Sequence, residues 1–484
     1  MRLILAAVLS AMLSAICASA HADLQFAPCE LTGSADHMRA RADCATFSVA
    51  EDPAKPDGAR IDLRVAQIKS LSPTPQRDAV TIINGGPGAS SIALYVDLAR
   101  ALTGLLPERD IIVLDQRGTG SSNPLTCPDL ERATQQFSKE AITMATDACL
   151  AQLAGNPRFY STSQAVADLD ALRAELGYEQ LNIYGVSYGT RVALHYLRRY
   201  PQRVRSLVID GVVPPELALG INVATNAQTT LNAVLARCSQ REPCRNAFKD
   251  SAAQLQALRA ELGKQSIAVD LAHPLTGAAT SVQFGYEHLA TNLRLLSYAP
   301  ETAALIPLLI HETAAGNHTP AAAMALKYID QLSTSLSFGM HNAVVCTEDI
   351  PFIDQATIDW AALRATYLGA DQIRALITIC ERWPAAVIDE DFKTPIRADV
   401  PTLVLSGEQD PITPPQYGTA VAKGLTNSLH VVAPGQGHGV IARGCIPRLV
   451  ADFVSEPNVD ALDASCAQRL TDTPFFLDLL GPAP

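Results

Sequence analysis

The segment Gly185-Val186-Ser187-Tyr188-Gly189 constrains this chain more than any other, because it joins an apolar run, Leu181-Asn182-Ile183-Tyr184, to a helix-like stretch from Arg191 to Arg199. A serine between a buried strand and a helix must occupy a tight turn. Glycines two residues to either side let the backbone close that turn without Cβ clashes. The Ser187 hydroxyl is then lifted above the end of a strand. Such a pentapeptide also arises by chance, so its meaning depends on what surrounds it.

Three further segments supply that setting. Upstream, Val80-Thr81-Ile82-Ile83 reads as a buried strand running into Asn84-Gly85-Gly86-Pro87-Gly88, a loop with little side-chain bulk and exposed amides. Downstream, the strand Thr402-Leu403-Val404-Leu405 ends in Ser406-Gly407-Glu408-Gln409-Asp410, which sets a carboxylate on the following loop. Leu429-His430-Val431-Val432 then leads into Pro434-Gly435-Gln436-Gly437-His438-Gly439, where flanking glycines let an imidazole swing over the serine. The order serine, acid, histidine is that of an α/β-hydrolase fold. The expected architecture is α/β: a mostly parallel central sheet with helices on both faces and a largely helical cap insertion.

A serine hydroxyl is a poor nucleophile at neutral pH, so a base must take its proton during attack and return it to the leaving group. His438 is the candidate base, and Asp410 the candidate acid that fixes its tautomer and stabilises the imidazolium. Glu408 and Asp210 are the alternatives for the acid; the Asp410-Pro411 step suits a turn that presents a carboxylate. The oxyanion needs donors already aimed at it, each typically worth about 2.7 to 4 kcal/mol. The natural pair is the Tyr188 N–H, next to the nucleophile, and the Gly86 N–H. This chemistry requires no metal and no organic cofactor.

The chain divides by pattern. Residues 1–22 read as a secretory signal peptide: Arg2, an apolar run from Leu3 to Ile16, then the small-residue sites Ala18-Ser19-Ala20 and Ala20-His21-Ala22. The run is shorter than a membrane span requires. Export to the periplasm or medium is the expectation, with no stable membrane insertion after cleavage. Residues 23–215 form the first part of the core, with half-buried strands at 45–49 and 61–68, buried strands at 80–83, 111–114, 181–184 and 206–210, and a helix between Ser163 and Leu176. Residues 216–390 are Ala- and Leu-rich with helical periodicity and few clear strands, which places the cap there; residues 391–484 complete the core.

Ten cysteines remain once Cys17 leaves with the signal, an even number that suits disulfides in an exported chain. They fall into local pairs: Cys29 with Cys44, Cys127 with Cys149, Cys238 with Cys244, Cys346 with Cys380, and Cys445 with Cys466. No C-x2-C or H-x3-H cluster points to zinc. The formal charge of −12, with no basic cluster, argues against a nucleic-acid partner.

These motifs, together with Asp115-Gln116-Arg117-Gly118-Thr119-Gly120-Ser121-Ser122 and a cysteine-bearing C-terminal segment, resemble the α/β-hydrolase peptidases of the proline iminopeptidase and tripeptidyl aminopeptidase group. Asn84 departs from the pattern, since many iminopeptidases carry histidine before Gly-Gly-Pro-Gly. The resemblance implies a serine exopeptidase acting on peptides with a free N-terminus, whose ammonium is held by acidic groups under the cap. Glu348, with Asp349 beside it, is the candidate amine anchor, its competitor being a solvated turn or helix cap. Asp115 and Arg117 are expected to lock the turn after their strand, and the lone His195 and His341 to pack or to line the cap. A secreted carboxylic-ester hydrolase and a non-catalytic hydrolase-like binding module are the other functions compatible with these residues.

Overall fold

Nine apolar or alternating runs assemble into one sheet. The computed structural model describes residues 24–35, 37–134 and 138–482, so the expected signal peptide at 1–22 lies outside the described residues. In chain order the strands are β1 (Ala27–Thr32), β2 (Arg39–Ala50), β3 (Arg60–Ile68), β4 (Asp78–Ile83), β5 (Ile111–Leu114), β6 (Gln180–Val186) and β7 (Val204–Asp210). After β7 the chain leaves the sheet for a series of helices and one antiparallel hairpin, β8 (Ile267–Ala272) and β9 (Ala279–Phe284). It returns as β10 (Thr402–Gly407) and β11 (Ser428–Ala433).

The spatial order is β1-β2-β3-β5-β4-β6-β7-β10-β11. From β5 to β11 every pairing is parallel, while β1, β2 and β3 add an antiparallel edge. A parallel strand covered by helices on both faces must be apolar on both, and β10 is buried at all its positions. Successive residues enter opposite layers, as the two-residue period demands. Ile183 and Leu207 join one apolar cluster, whereas Tyr184 and Val208 join the other.

The insertion between β7 and β10 has its own apolar cluster, including Leu231, Phe248, Leu258, Leu293 and Ile306. Helical periodicity does not foretell its hairpin. The short alternating runs flank Thr276-Gly277, where Gly277 takes a positive φ of 72° and closes the turn. Val269, Val282 and Phe284 then face the helices.

All five disulfides join the sequential pairs, with Cα separations from 4.9 to 6.4 Å. Cys29–Cys44 links β1 to β2, and Cys346–Cys380 fastens the helix Phe338–Glu348 to the helix Asp371–Cys380. Among the described residues, no helix is long and apolar enough to cross a membrane.

The parallel register decides where chemistry collects. Gly86 follows β4, Ser187 follows β6, Asp410 follows β10 and His438 follows β11. All four therefore lie beyond the carboxyl ends of parallel strands, where ligands bind in open α/β sheets.

Candidate active site

Ser187 has φ 56° and ψ −128°, a backbone conformation that non-glycine residues rarely adopt. Local bonds hold it there. Its N–H donates to the Asp210 carbonyl at 2.9 Å, and its own carbonyl accepts from the Thr190 N–H at 2.9 Å and the Thr190 hydroxyl at 2.6 Å. The two flanking glycines are required by space: a Cβ on Gly189 would press into the Ile83 carbonyl, and one on Gly185 into the Gly189 carbonyl.

Asp410 Oδ2 lies 2.7 Å from His438 Nδ1. The other carboxylate oxygen accepts the Ile412 and Thr413 N–H groups, each at 2.8 Å, so the acid is fixed by its own turn. The Thr413 hydroxyl donates to Asp410 Oδ2 at 2.8 Å and stands 3.1 Å from His438 Nδ1. Sequence reasoning passed over Thr413, although an aspartate followed by a polar residue three positions on is the signature of a side-chain-capped turn. Burial raises the Asp410 pKa, but the adjacent His438 and these hydrogen bonds outweigh it and hold the carboxyl below its ordinary value. Burial lowers the His438 pKa in turn, and the Asp410 charge and hydrogen bond, aided by Asp210, more than reverse that, leaving it above 6.5.

The two other carboxylates weighed for the acid's place serve the backbone. Glu408 accepts the Gly435 N–H at 2.8 Å. Asp210 Oδ2 accepts the Val440 and Ile441 N–H groups at 2.8 and 2.9 Å and the Tyr184 hydroxyl at 3.1 Å, which anchors the loop just beyond His438. Burial pushes its pKa up to about 6. The insertion steadies the same loop from above, for the His438 N–H donates to the Tyr298 carbonyl at 2.8 Å and the two rings meet edge to face.

Among the described residues, neither the Gly86 N–H nor the Tyr188 N–H donates to another group of the protein, and both residues line the cavity that Ser187 and His438 also line. Two amides left without acceptors beside a serine can receive a carbonyl oxygen. Asn84 holds their loop, accepting the Gly85 N–H at 2.7 Å and donating to the Ser90 carbonyl at 2.8 Å. Behind it, Asp115 accepts the Ser90 hydroxyl at 2.7 Å and the Ile92 N–H at 3.0 Å. Arg117 grips Asp168 through two bonds of 2.6 and 2.7 Å. His195 packs against Ser163 and Asp389, whereas His341 lines the cavity.

Glu348 and Asp349 are not in this cavity, which corrects the amine-anchor expectation. Both are fully enclosed and committed to internal partners. Glu348 accepts the Thr162 N–H at 2.7 Å and the Thr162 hydroxyl at 2.8 Å, and that hydroxyl also meets the Tyr188 hydroxyl at 2.6 Å. Asp349 accepts the Leu219 N–H at 2.8 Å and lies 2.9 Å from Arg191 and 3.4 Å from Lys393. The pair therefore docks the insertion onto the helix that follows Ser187. Burial, only partly offset by Arg191, raises the Glu348 pKa to about 7.

The cavity itself is about 420 Å³. One wall comes from the sheet side, with Gly85, Gly86, Ser187, Tyr188, Thr413 and His438; the other comes from the insertion, with Val223, Arg294, Tyr298, His341, Val345 and Leu376. Among the described residues, its lining contains no aspartate or glutamate. Among the described residues, no His/Cys/Asp/Glu cluster is suited to hold a metal ion.

A serine on a strained strand-to-helix turn, beside an imidazole tied to a carboxylate, defines a serine hydrolase of the α/β-hydrolase fold. The alpha/beta hydrolase fold family matches residues 78–236, and the TAP-like protein family matches residues 365–466. The chain is 25% identical to the serine protease Hip1 of Mycobacterium tuberculosis, across 92% of this chain and 91% of that protein. It is 24% identical to the tripeptidyl aminopeptidase of Streptomyces lividans, across 89% and 84% respectively. A putative hydrolase of Escherichia coli, YuaR, is 31% identical over 38% of each chain. The chain thus has the α/β-hydrolase fold, is similar to these peptidases over most of its length and carries a segment that matches the TAP-like family.

Proposed function

We propose that the protein is an exported serine exopeptidase that releases short N-terminal fragments from peptides through an acyl-enzyme on Ser187. The observation that carries this reading is the roofed cavity over Ser187, whose volume of about 420 Å³ suits the end of a peptide better than the middle of one. The likeness to a tripeptidyl aminopeptidase supports release from the N-terminus. The leader at 1–22 and the five disulfides support export.

In this mechanism Ser187 Oγ attacks the peptide carbonyl carbon as His438 Nε2 takes the hydroxyl proton. The oxyanion forms against the Gly86 and Tyr188 N–H groups, which line the cavity and donate to no other group among the described residues. His438 then hands the proton to the departing amine, the C–N bond breaks, and water repeats the sequence on the ester. Asp410 keeps Nδ1 protonated throughout, so that Nε2 is the basic nitrogen.

The lining holds no carboxylate to bind an ammonium ion, so the size of the cavity sets the position of the cut. N-acetylation of a short peptide should therefore cost less than about tenfold in kcat/KM, or about 1.4 kcal/mol. Product mass spectrometry on peptides of graded length, free and N-acetylated, with Ser187→Ala as control, tests the proposal. Stepwise appearance of short N-terminal fragments is expected. Cleavage within long peptides would remove the exopeptidase reading, and hydrolysis of simple esters alone would replace it with the carboxylic-ester hydrolase, which the uncharged oxyanion side of the cavity also suits.

A further inference from the structure

We propose that Arg294 is a specificity-determining residue that binds a carboxylate of the substrate. This deepens the proposed function and rests on its reading of the cavity as the substrate site. Arg294 lies on the helix Tyr286–Leu296, whose Leu289, Leu293 and Leu296 are buried in the insertion's core. Its side chain lines the cavity with Ser187, His438 and Gly86, and among the described residues it is the only lysine or arginine in that lining.

Among the described residues, this guanidinium has no counter-ion in the cavity. The chain carries 49 acidic residues against 37 basic ones, yet among the described residues no carboxylate stands within ion-pair distance of Arg294. Its one hydrogen bond to the protein runs from Nη1 to the neutral Gln372 Oε1 at 3.3 Å, and Gln372 lines the same cavity. Arg294 Nε is enclosed with no partner at all. The other cations enclosed near the site, Arg191 and Lys393, both face Asp349.

Holding a guanidinium in a cavity lined by Leu376, Val345 and Val223, with one neutral acceptor and its Nε unpaired, costs stability, and a carboxylate ligand would recover it. A guanidinium offers a planar fork of donors that matches a carboxylate and gains strength as water leaves. Arg294 is also close enough to the reacting groups for its charge to oppose protonation of both His438 and His341. Two sources present the required chemistry: the α-carboxylate of a short peptide, and an aspartate or glutamate side chain.

The test is a set of matched peptides assayed with wild type, Arg294→Gln and Arg294→Lys. One arm compares a neutral tripeptide or tetrapeptide acid with its C-terminal amide; the other compares Glu with Gln at each position of the amide. Wild type should favour the carboxylate in one arm by roughly 10- to 100-fold in kcat/KM, the range of one charge-assisted hydrogen-bonded contact. The gain should appear mainly in KM. Arg294→Gln should erase it, Arg294→Lys should keep part of it, and the arm that responds names the source. Equal rates on charged and neutral partners in active wild-type enzyme would overturn the proposal, as would a preference that survives in Arg294→Gln. Labelling of Ser187 by a fluorophosphonate shows that each variant is folded. If wild type labels and hydrolyses esters but cuts no peptide, the peptidase reading has failed independently; half-acid and full esters of one dicarboxylic acid then decide the role of Arg294.

Discussion

The two walls of the cavity are built by different physics. On the sheet side each group is held by its own backbone: Ser187 by a positive φ between two glycines, Asp410 by two amides of its own turn, and His438 by a loop anchored on Asp210. On the insertion side Arg294 and Tyr298, His341 and Val345, and Leu376 come from three segments that meet only because their helices pack. In the function proposed above, groups of the first kind would carry the reaction and groups of the second kind would select the substrate.

The largest expected effect falls on the sheet side. Ser187→Ala should lower turnover by at least about 10⁴-fold with the melting temperature nearly unchanged, measured by steady-state kinetics beside calorimetry. Asp410→Asn should cost about 10³- to 10⁴-fold in kcat. It should also displace the pH profile. In the wild type His438 must lose its proton to act as a base, and its pKa lies above 6.5, so activity should rise with pH through a midpoint above that value. Without the Asp410 charge, the residual activity should rise at a lower pH. The charged groups that act on His438 are Asp410 and Asp210, which favour the proton, and Arg294, which opposes it.

On the insertion side, the double variant Cys346→Ala with Cys380→Ala should cost about 2 to 4 kcal/mol of stability. Because the bridge joins the helices that carry His341, Val345 and Leu376, KM should rise more than kcat falls. An equal loss in both would break the division between the two walls. The smallest effect is expected at Glu348. Its pKa is about 7 in the folded protein against an ordinary 4.5, so the folded state favours the protonated acid. The associated stability is complete below about 4.5 and is lost as pH rises through about 7. Melting curves across this range should flatten in Glu348→Gln; an unchanged slope would mean that Glu348 is not the group titrating.

The same division explains what could be read in advance. Strands β4, β6, β10 and β11 end in turns whose glycines, proline and aspartate announce their geometry, and each cysteine among the described residues pairs with its neighbour in the chain. Glu348 and Asp349 were misplaced because adjacent carboxylates next to a cysteine do not reveal which way the end of their helix faces. His341 and Val345 on that helix reach the cavity, whereas Glu348, in the last turn, meets Thr162 instead. Arg294 escaped notice for a related reason. One arginine on an amphipathic helix looks like an ordinary solvated cation, and only the packing of the insertion turns it inward.

The position of the insertion in the chain also imposes an order on synthesis. Ser187 and both proposed oxyanion donors are made early, while Asp410 and His438 lie beyond the whole excursion, which returns to the sheet only at Thr402. If the proposed triad is right, a growing chain carries a serine without its base and acid until its last quarter has emerged. On the proposed mechanism, chain order alone would keep the serine from hydrolysing peptides during biogenesis.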